Sequence, residues 1–387
     1  MKESKFKSYS PEQDENLLSN YLIDSWSYSK VATFARNEKS FEMRYIYGEQ
    51  GKESATQVAG QAYHAALDFL FKQRAKGINV ELIELETVAH CHILDKPANN
   101  WRIQKTTPSV EDCISTACKN ASTFLINFMK EKSKYVDDID VIIDSELKIV
   151  EWLTVNGVDI PLPCSMILDR VFKTKKGKTV ILDDKSKSKF TDDDEVGFVI
   201  GKQAITYALG YEMATGLPID EVWFIENKFS QNKDKSPQLV CSKIELNDDT
   251  RRLYEAMLYE PTRRVLEAIS NPDYIYLINE NDNLTDSAEI HEFWAQTMIA
   301  EISDFVNVPE NKKDLIKNRL RKIKDSELAA VNPSVIKNFR KHASEFISYD
   351  LSNKDMNNEE KIEHVLRTFG IPVKVQHIFN GYSSSTF

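Results

Sequence analysis

A chain of 387 residues, 41% of them hydrophobic, carries enough apolar material for two or three packed domains. No run of about 18 apolar residues occurs and the opening stretch, MKESKFKSYSPEQDENLL, has no apolar centre, so neither a membrane span nor a secretory leader is expected and the cytoplasm is the expected compartment. The formal charge of −10 argues against a generally adhesive nucleic-acid binder without excluding a local basic groove, and five scattered cysteines fit reduced thiols.

Residues 1–20 are polar and read as a flexible lead. Between Trp26 and Tyr47 the aromatic and apolar residues Val31, Phe34, Phe41 and Tyr45 recur at spacings suited to two short helices. Residues 54–76 read as a longer helix with Val58, Ala62, Ala66 and Leu70 on one face, Gly60 allowing a close approach and His64 beside that face. Residues 80–135 read as a helical insertion. Within it His90, Cys91 and His92, and separately Cys113 and Cys118, have ligand-type side chains, but no second pair follows at metal spacing, and they are taken as structural.

The β part begins at residues 139–150, where Glu146 is either a third acid of a site or a charge on the wet face of a strand. Gly157 supplies a turn, and Pro161 with Pro163 suggests an edge or a bulge. Two apolar runs then end in charge: Met166 to Leu168 runs into Asp169 and Arg170, and Val180 to Leu182 runs into Asp183, Asp184 and Lys185. The polar turn KTKKGK between them makes an antiparallel hairpin, on which Asp169 and Asp183 could converge on one cation. Lys185, two residues beyond Asp183, shares its face by the period of two. Charged groups at the ends of buried strands need a reason, because an unpaired buried charge is costly.

After this hairpin, residues 197–215 read as a helix over the sheet, with Gln203 and Tyr207 four apart and pointing the same way. Residues 221–229 and 237–246 read as two further strands, and 248–269 as a closing helix. Residues 287–306, 312–324 and 333–347 read as a helical region without a motif. Its basic cluster at 312–324, KKDLIKNRLRKIK, is read as a solvated helix face in preference to a phosphate-contacting one. A polar linker at 351–358 then leads to a helix, a Gly-Ile-Pro turn and an alternating strand. The expected layout is therefore a lead at 1–20, an α/β (α+β) domain at 21–270 with its insertion at 80–135, a helical region at 271–350, and a linker with a further α/β beginning at 351–387. Its core is expected to be a central mixed β-sheet flanked by helices.

Gly60-Gln-Ala-Tyr-His64, Ile167-Leu-Asp169-Arg170, Leu182-Asp183-Asp184-Lys185 and Gln203-Ala-Ile-Thr-Tyr207 occur in one order. Together they resemble the PD-(D/E)XK nuclease superfamily, closest to its RecB-like and phage exonuclease branch, whose fold is restriction-endonuclease-like. Asp-x-Lys alone is weak; four elements in order are more specific. The resemblance implies a Mg²⁺- or Mn²⁺-dependent deoxyribonuclease. Asp169, Asp183 and Lys185 would be catalytic, and His64, Asp169, Asp183, the Asp184 carbonyl and potentially Glu146 would hold the metal. Gln203, Tyr207, Lys187, Lys189 and Arg170 would contact DNA. Iron–sulfur members of that branch place a cysteine near the position of Asn37, so no cluster is expected here. The final residues, EEKIEHVLRTFGIPVKVQHIFNGYSSSTF, resemble the opening of the small α/β domain that precedes the motor of FtsK-type translocases, which implies a longer protein with a DNA-translocating ATPase. No GxxxxGK[ST] loop is present in these residues. The other reading kept open is a non-catalytic DNA-binding module of nuclease fold serving a motor or partner; oligomeric state stays open.

Overall fold

The computed structural model describes residues 18–48, 51–192, 196–277 and 307–320. The chain divides into two compact units, residues 1–51 with 261–387, and residues 52–260. Residues 1–17 of the expected lead at 1–20, the helical stretches at 287–306 and 333–347, and the linker and α/β-like end at 351–387 lie outside the described residues.

In the first unit Ser27 caps α1 (Tyr28–Arg36), its side chain accepting from the Lys30 N–H at 3.2 Å, and Asn37 caps α2 (Glu38–Phe41) through the Ser40 N–H. A π-helical turn, Glu42–Ile46, follows. Phe34, Phe41 and Tyr276 pack with ring centroids 5.4–6.1 Å apart. Glu42 is buried and held by Lys39 at 2.8 Å and Arg319 at 2.6 Å, while Lys312 meets Asp24 at 3.0 Å. In its described part the basic stretch from Lys312 is two-sided: Asp314, Lys317 and Asn318 are exposed, whereas the opposite side is buried. Lys312 and Arg319 are fully buried with Ile316 and Leu320, and each is neutralised by an acid of the same unit.

The second unit opens with α3 (Ala55–Ala75), started by a capping box between Ser54 and Gln57. With α4 (Leu82–Leu94) and α5 (Val110–Val136) it covers one face of a sheet. Val58, Ala62, Ala66 and Leu67 pack with Phe124 and Phe128 of α5 and with Phe172, Val180, Leu182, Trp223 and Ile225 of the strands. The segment expected as an insertion is therefore part of the main core.

The strands are β1 (Ile139–Glu151), the two-residue ribbon β2 (Thr154–Val155) and β3 (Val158–Asp159), β4 (Cys164–Thr174) and β5 (Thr179–Lys187). After α6 (Val196–Thr215) come β6 (Glu221–Gln231) and β7 (Pro237–Glu245), and α7 (Asp248–Ser270) starts in this unit and continues past Pro261 into the first. The main sheet has the order β1-β4-β5-β6-β7. β1, β4 and β5 run antiparallel, β5 and β6 are parallel, joined by the α6 crossover, and β7 returns antiparallel. Val171, Ile181, Val222 and Phe224 alternate onto the face opposite Phe172 and Trp223, the face reached by α6. Gly201 of α6 leaves room for the Tyr254 ring of α7. The result is the expected mixed sheet flanked by helices, a restriction-endonuclease-like core.

Candidate active site

The hairpin strands β4 and β5 pair over four positions only, from Lys173↔Thr179 to Arg170↔Leu182. Beyond Leu182, β5 leaves β4 and continues beside β6 through Lys187↔Lys228. Asp169 and Asp183 are the first residues past the last pair, and they stand in the fork. Asp169 bridges it, its Oδ2 accepting the backbone N–H of Asp184 at 2.8 Å. Both acids are buried, at 9% and 3% exposure, which explains why two apolar runs end in carboxylates at the same level.

Three further elements point side chains into the fork. From α3, His64 Nδ1 lies 3.3 Å from Asp169 Oδ2. Gly60 makes this approach close, since a Cβ there would collide with the Ser186 hydroxyl of β5 and lie 3.2 Å from Ser186 Cβ. From β5 itself, Lys185 Nζ is 2.6 Å from Asp183 Oδ2. From α6, the Tyr207 hydroxyl donates to Asp183 Oδ1 at 3.0 Å and accepts from Gln203 Nε2 at 2.6 Å. The Gln203–Tyr207 pair, expected beside DNA, is here a relay that fixes the Asp183 carboxylate.

Two acids stand beside this group. Glu146 sits on β1 between the pairs Ser145↔Arg170 and Leu147↔Leu168, level with Asp169, and its φ of 54° puts a non-glycine residue in the left-handed region. Such a conformation costs on the order of 1 kcal/mol, so the surroundings hold it there. Asp68, one turn beyond His64 on α3, accepts from Ser145 Oγ at 2.7 Å and pairs with Lys72 at 2.7 Å. It escaped the sequence reading because a single acid on a helix flank looks the same as a solvated one; only its spacing of four from His64 was visible.

The charges perturb one another as their spacing requires. Burial raises the Asp183 carboxyl above the usual carboxylate range, with Asp169 adding to the effect and Lys185 opposing it. Burial also acts on Asp169, but the hydrogen bond and charge of His64, with Arg170 and Lys185, outweigh it and lower its pKa. Glu146 is raised by burial and by Asp169 and Asp68. The Tyr207 phenol is pushed well up by burial and by Asp183, so it stays a donor.

The remaining expected residues are placed differently from one another. Arg170 is buried at 2% exposure, ion-paired to the buried Asp184 carboxylate and stacked 4.3 Å from the Phe71 ring centroid. It therefore presents no face to DNA, unlike the contact that the resemblance implied for it. Asp184 spends its side chain on that pair. Lys187 is half-buried and lies 3.3 Å from Glu226, whereas Lys189 is exposed with Asp192 at 2.9 Å. Glu226, buried on β6, also accepts the Thr191 N–H at 2.7 Å, pinning the loop that follows β5.

Among the described residues no group of three or more His, Cys, Asp or Glu side chains is gathered closely enough to hold a metal ion. His64, Asp169 and Asp183 meet instead in pairs, His64 with Asp169 and Asp183 with Lys185. The donor chemistry nevertheless suits a hard divalent cation. Asp183 Oδ2 is buried with the Lys185 ammonium 2.6 Å away, and even beside that charge the raised carboxyls of Asp183 and Glu146 mark an excess of acid that a cation would relieve. Beside the group opens a cleft of about 630 Å³. His64, Asp68 and Glu146 line one end, Glu53, Gln57 and Gln61 the other, with Ala65 and Ser186 between.

Two acids in a strand fork, a lysine two residues on, and a histidine from the first helix over a mixed sheet define a nuclease fold. A family model agrees over residues 25–276, more than half the chain, and the chain belongs to the PD-(D/E)XK nuclease superfamily. Nucleases of this superfamily are generally hydrolases that use divalent ions such as Mg²⁺ or Mn²⁺. No curated protein matches the chain. Among solved structures, the crystal structure of SSO0001 aligns over 63% of this chain and 88% of its own, at 9% identity and a TM-score of 0.25. No helix among the described residues is long and apolar enough to cross a membrane.

Proposed function

We propose that this chain is a metal-dependent deoxyribonuclease that hydrolyses phosphodiester bonds, acting as an exonuclease or DNA-end processor of the RecB-like and phage exonuclease branch. The observation that carries the reading is the meeting of Asp169, Asp183, Lys185 and His64 in the β4–β5 fork. Asp169, Asp183 and His64, with the Asp184 carbonyl and Glu146, would hold Mg²⁺ or Mn²⁺, which when bound supplies positive charge against the phosphate and acidifies water. Lys185 orients or deprotonates the attacking water, or offsets charge on the phosphate as it gains bonds. Tyr207, held by Gln203, keeps the Asp183 carboxylate turned toward the fork. Glu146 and Asp68 add negative potential that favours the cation. Lys187 and Lys189, at the exposed end of β5 and just beyond it, are the cations best placed for the DNA backbone. Phage recombination or replication, or antiphage defence, are the settings such an enzyme fits, and fusion to a translocase is the context the C-terminal resemblance suggests.

The test is cleavage of end-labelled linear and covalently closed circular double-stranded DNA with Mg²⁺ or Mn²⁺, comparing the native chain with Lys185→Ala and Asp183→Ala. Metal-dependent cleavage lost in both variants, with the circle spared, is the expected result. DNA bound equally by all three proteins and cut by none would replace the enzyme with a DNA-binding module.

A further inference from the structure

The cleft beside the fork runs along one stripe of α3, with Gln57, Gln61, His64, Ala65 and Asp68 at the spacing of a single helix face. Its catalytic end is acidic, and its far end is close to neutral. Glu53 is tied there to Lys96 and receives the Gln61 Nε2 group, while the Gln57 Oε1 accepts the Ser54 N–H at 2.9 Å. These partners fix both amides: a carboxylate accepts only, so Gln61 must give Glu53 its NH₂ and turn its carbonyl outward. The Ser54 N–H donates only, so Gln57 must give its carbonyl and keep its NH₂ for the cleft. One turn apart, the stripe offers one donor and one acceptor, and Ser186 also lines the cleft.

A phosphate oxygen only accepts: it could use the Gln57 NH₂ but would leave the Gln61 carbonyl unmatched beside the acids, and the lining residues include no Lys or Arg. The edge of a nucleobase carries donors and acceptors side by side and matches the pair. We propose that this cleft is a nucleobase subsite, which receives the base of an unpaired nucleotide next to the scissile phosphate. To seat in the cleft beside the cut, a base must leave its duplex stack, so the subsite favours single strands or frayed ends. The inference rests on the nuclease reading for the position of the phosphate, and on the cleft alone for the recognition of the base. Its volume lies within the range of small-ligand pockets, roughly 300–1,000 Å³.

The experiment uses a short end-labelled single strand in which an abasic nucleotide is moved stepwise along the sequence, so that a base is removed and every phosphate kept. Cleavage is followed with Mg²⁺, and binding by fluorescence anisotropy with Ca²⁺. An abasic nucleotide beside the cut is expected to lower kcat/KM of the native chain about 10-fold, the scale of one or two lost hydrogen bonds. In Gln61→Ala the same abasic penalty should shrink to about 2-fold, and Ala65→Phe, which fills the cleft, should abolish it. A flat abasic scan in the native chain, or a penalty unchanged in both variants, overturns the subsite. If no strand is cut, the nuclease reading fails instead, and the abasic difference in anisotropy still decides the subsite in the same direction.

Discussion

Alanine at position 60 is the smallest change expected to separate folding from cleavage. The added Cβ collides with the Ser186 hydroxyl and stands 3.2 Å from Ser186 Cβ, so α3 and β5 must part. Overpacking of this kind costs ~1–3 kcal/mol. Alanine in place of glycine inside a helix returns about 1 kcal/mol. The net loss is then about 0–2 kcal/mol, which moves the melting temperature by a few degrees. The displacement acts more strongly on the chemistry, because Gly60 lies one turn before His64 and Ser186 follows Lys185 directly. Misplacement approaching ~1 Å costs about 100-fold in rate. Gly60→Ala should therefore lose about 10- to 100-fold in kcat with Mg²⁺ while melting cooperatively within a few degrees of the native chain. Ser186→Gly added to it removes both obstructing atoms and should restore kcat to within about 3-fold. Full cleavage by Gly60→Ala, or a loss that Ser186→Gly leaves in place, refutes the view that this contact sets His64 against the catalytic strand.

Asp183→Asn removes a buried acid that burial already disfavours, so without divalent metal it should melt at or above the native temperature. Mg²⁺ should raise the native melting point and leave the variant unmoved, and an equal metal shift in both would remove Asp183 from the ligand set. Arg170→Met strands the buried Asp184 charge and should destabilise the fold by ~3–5 kcal/mol in urea titrations, a loss that added DNA does not report. A well-folded Arg170→Met with weakened DNA binding would reinstate Arg170 as a surface contact. In the first unit burial opposes the charge on Glu42, yet Lys39 and Arg319 outweigh it and its folded pKa lies below the ordinary value. The stability it contributes is complete above the unfolded Glu pKa of about 4.3 and is lost as pH falls through the lower folded value. Acid denaturation should thus be steeper in the native chain than in Arg319→Leu with Glu42→Gln, and identical acid limbs would deny the pair that role.

The apolar runs at Val180 to Leu182 and Met166 to Leu168 were legible as strands because their ends broke the hydrophobic pattern, and the same breaks marked Asp169 and Asp183. The helices α3 and α6 followed from periodicity, while the capping box that starts α3 showed only in the structure. Burial of charge was not legible. Arg170, Lys312 and Arg319 counted as surface cations in the sequence, yet each is buried against an acid distant in the chain or on the neighbouring strand. Pattern records which residues are charged, whereas pairing depends on contacts formed only after the strands and helices meet. Asp68 and the left-handed Glu146 belong to the same class: each acquires meaning from the element it faces.

Where β5 parts from β4, the amide of Asp184 would face an empty lane in the sheet, and the Asp169 carboxylate fills it at 2.8 Å. A side chain stands in for the peptide carbonyl that the neighbouring strand no longer supplies. Removing that acid therefore unzips as well as disarms: Asp169→Ala confounds a missing ligand with an orphaned amide, while Asp169→Asn can keep the acceptor and lose only the charge. The sheet's hydrogen-bond continuity and its chemistry share one oxygen, so any ion drawn to Oδ2 loosens or tightens the seam between the two strands.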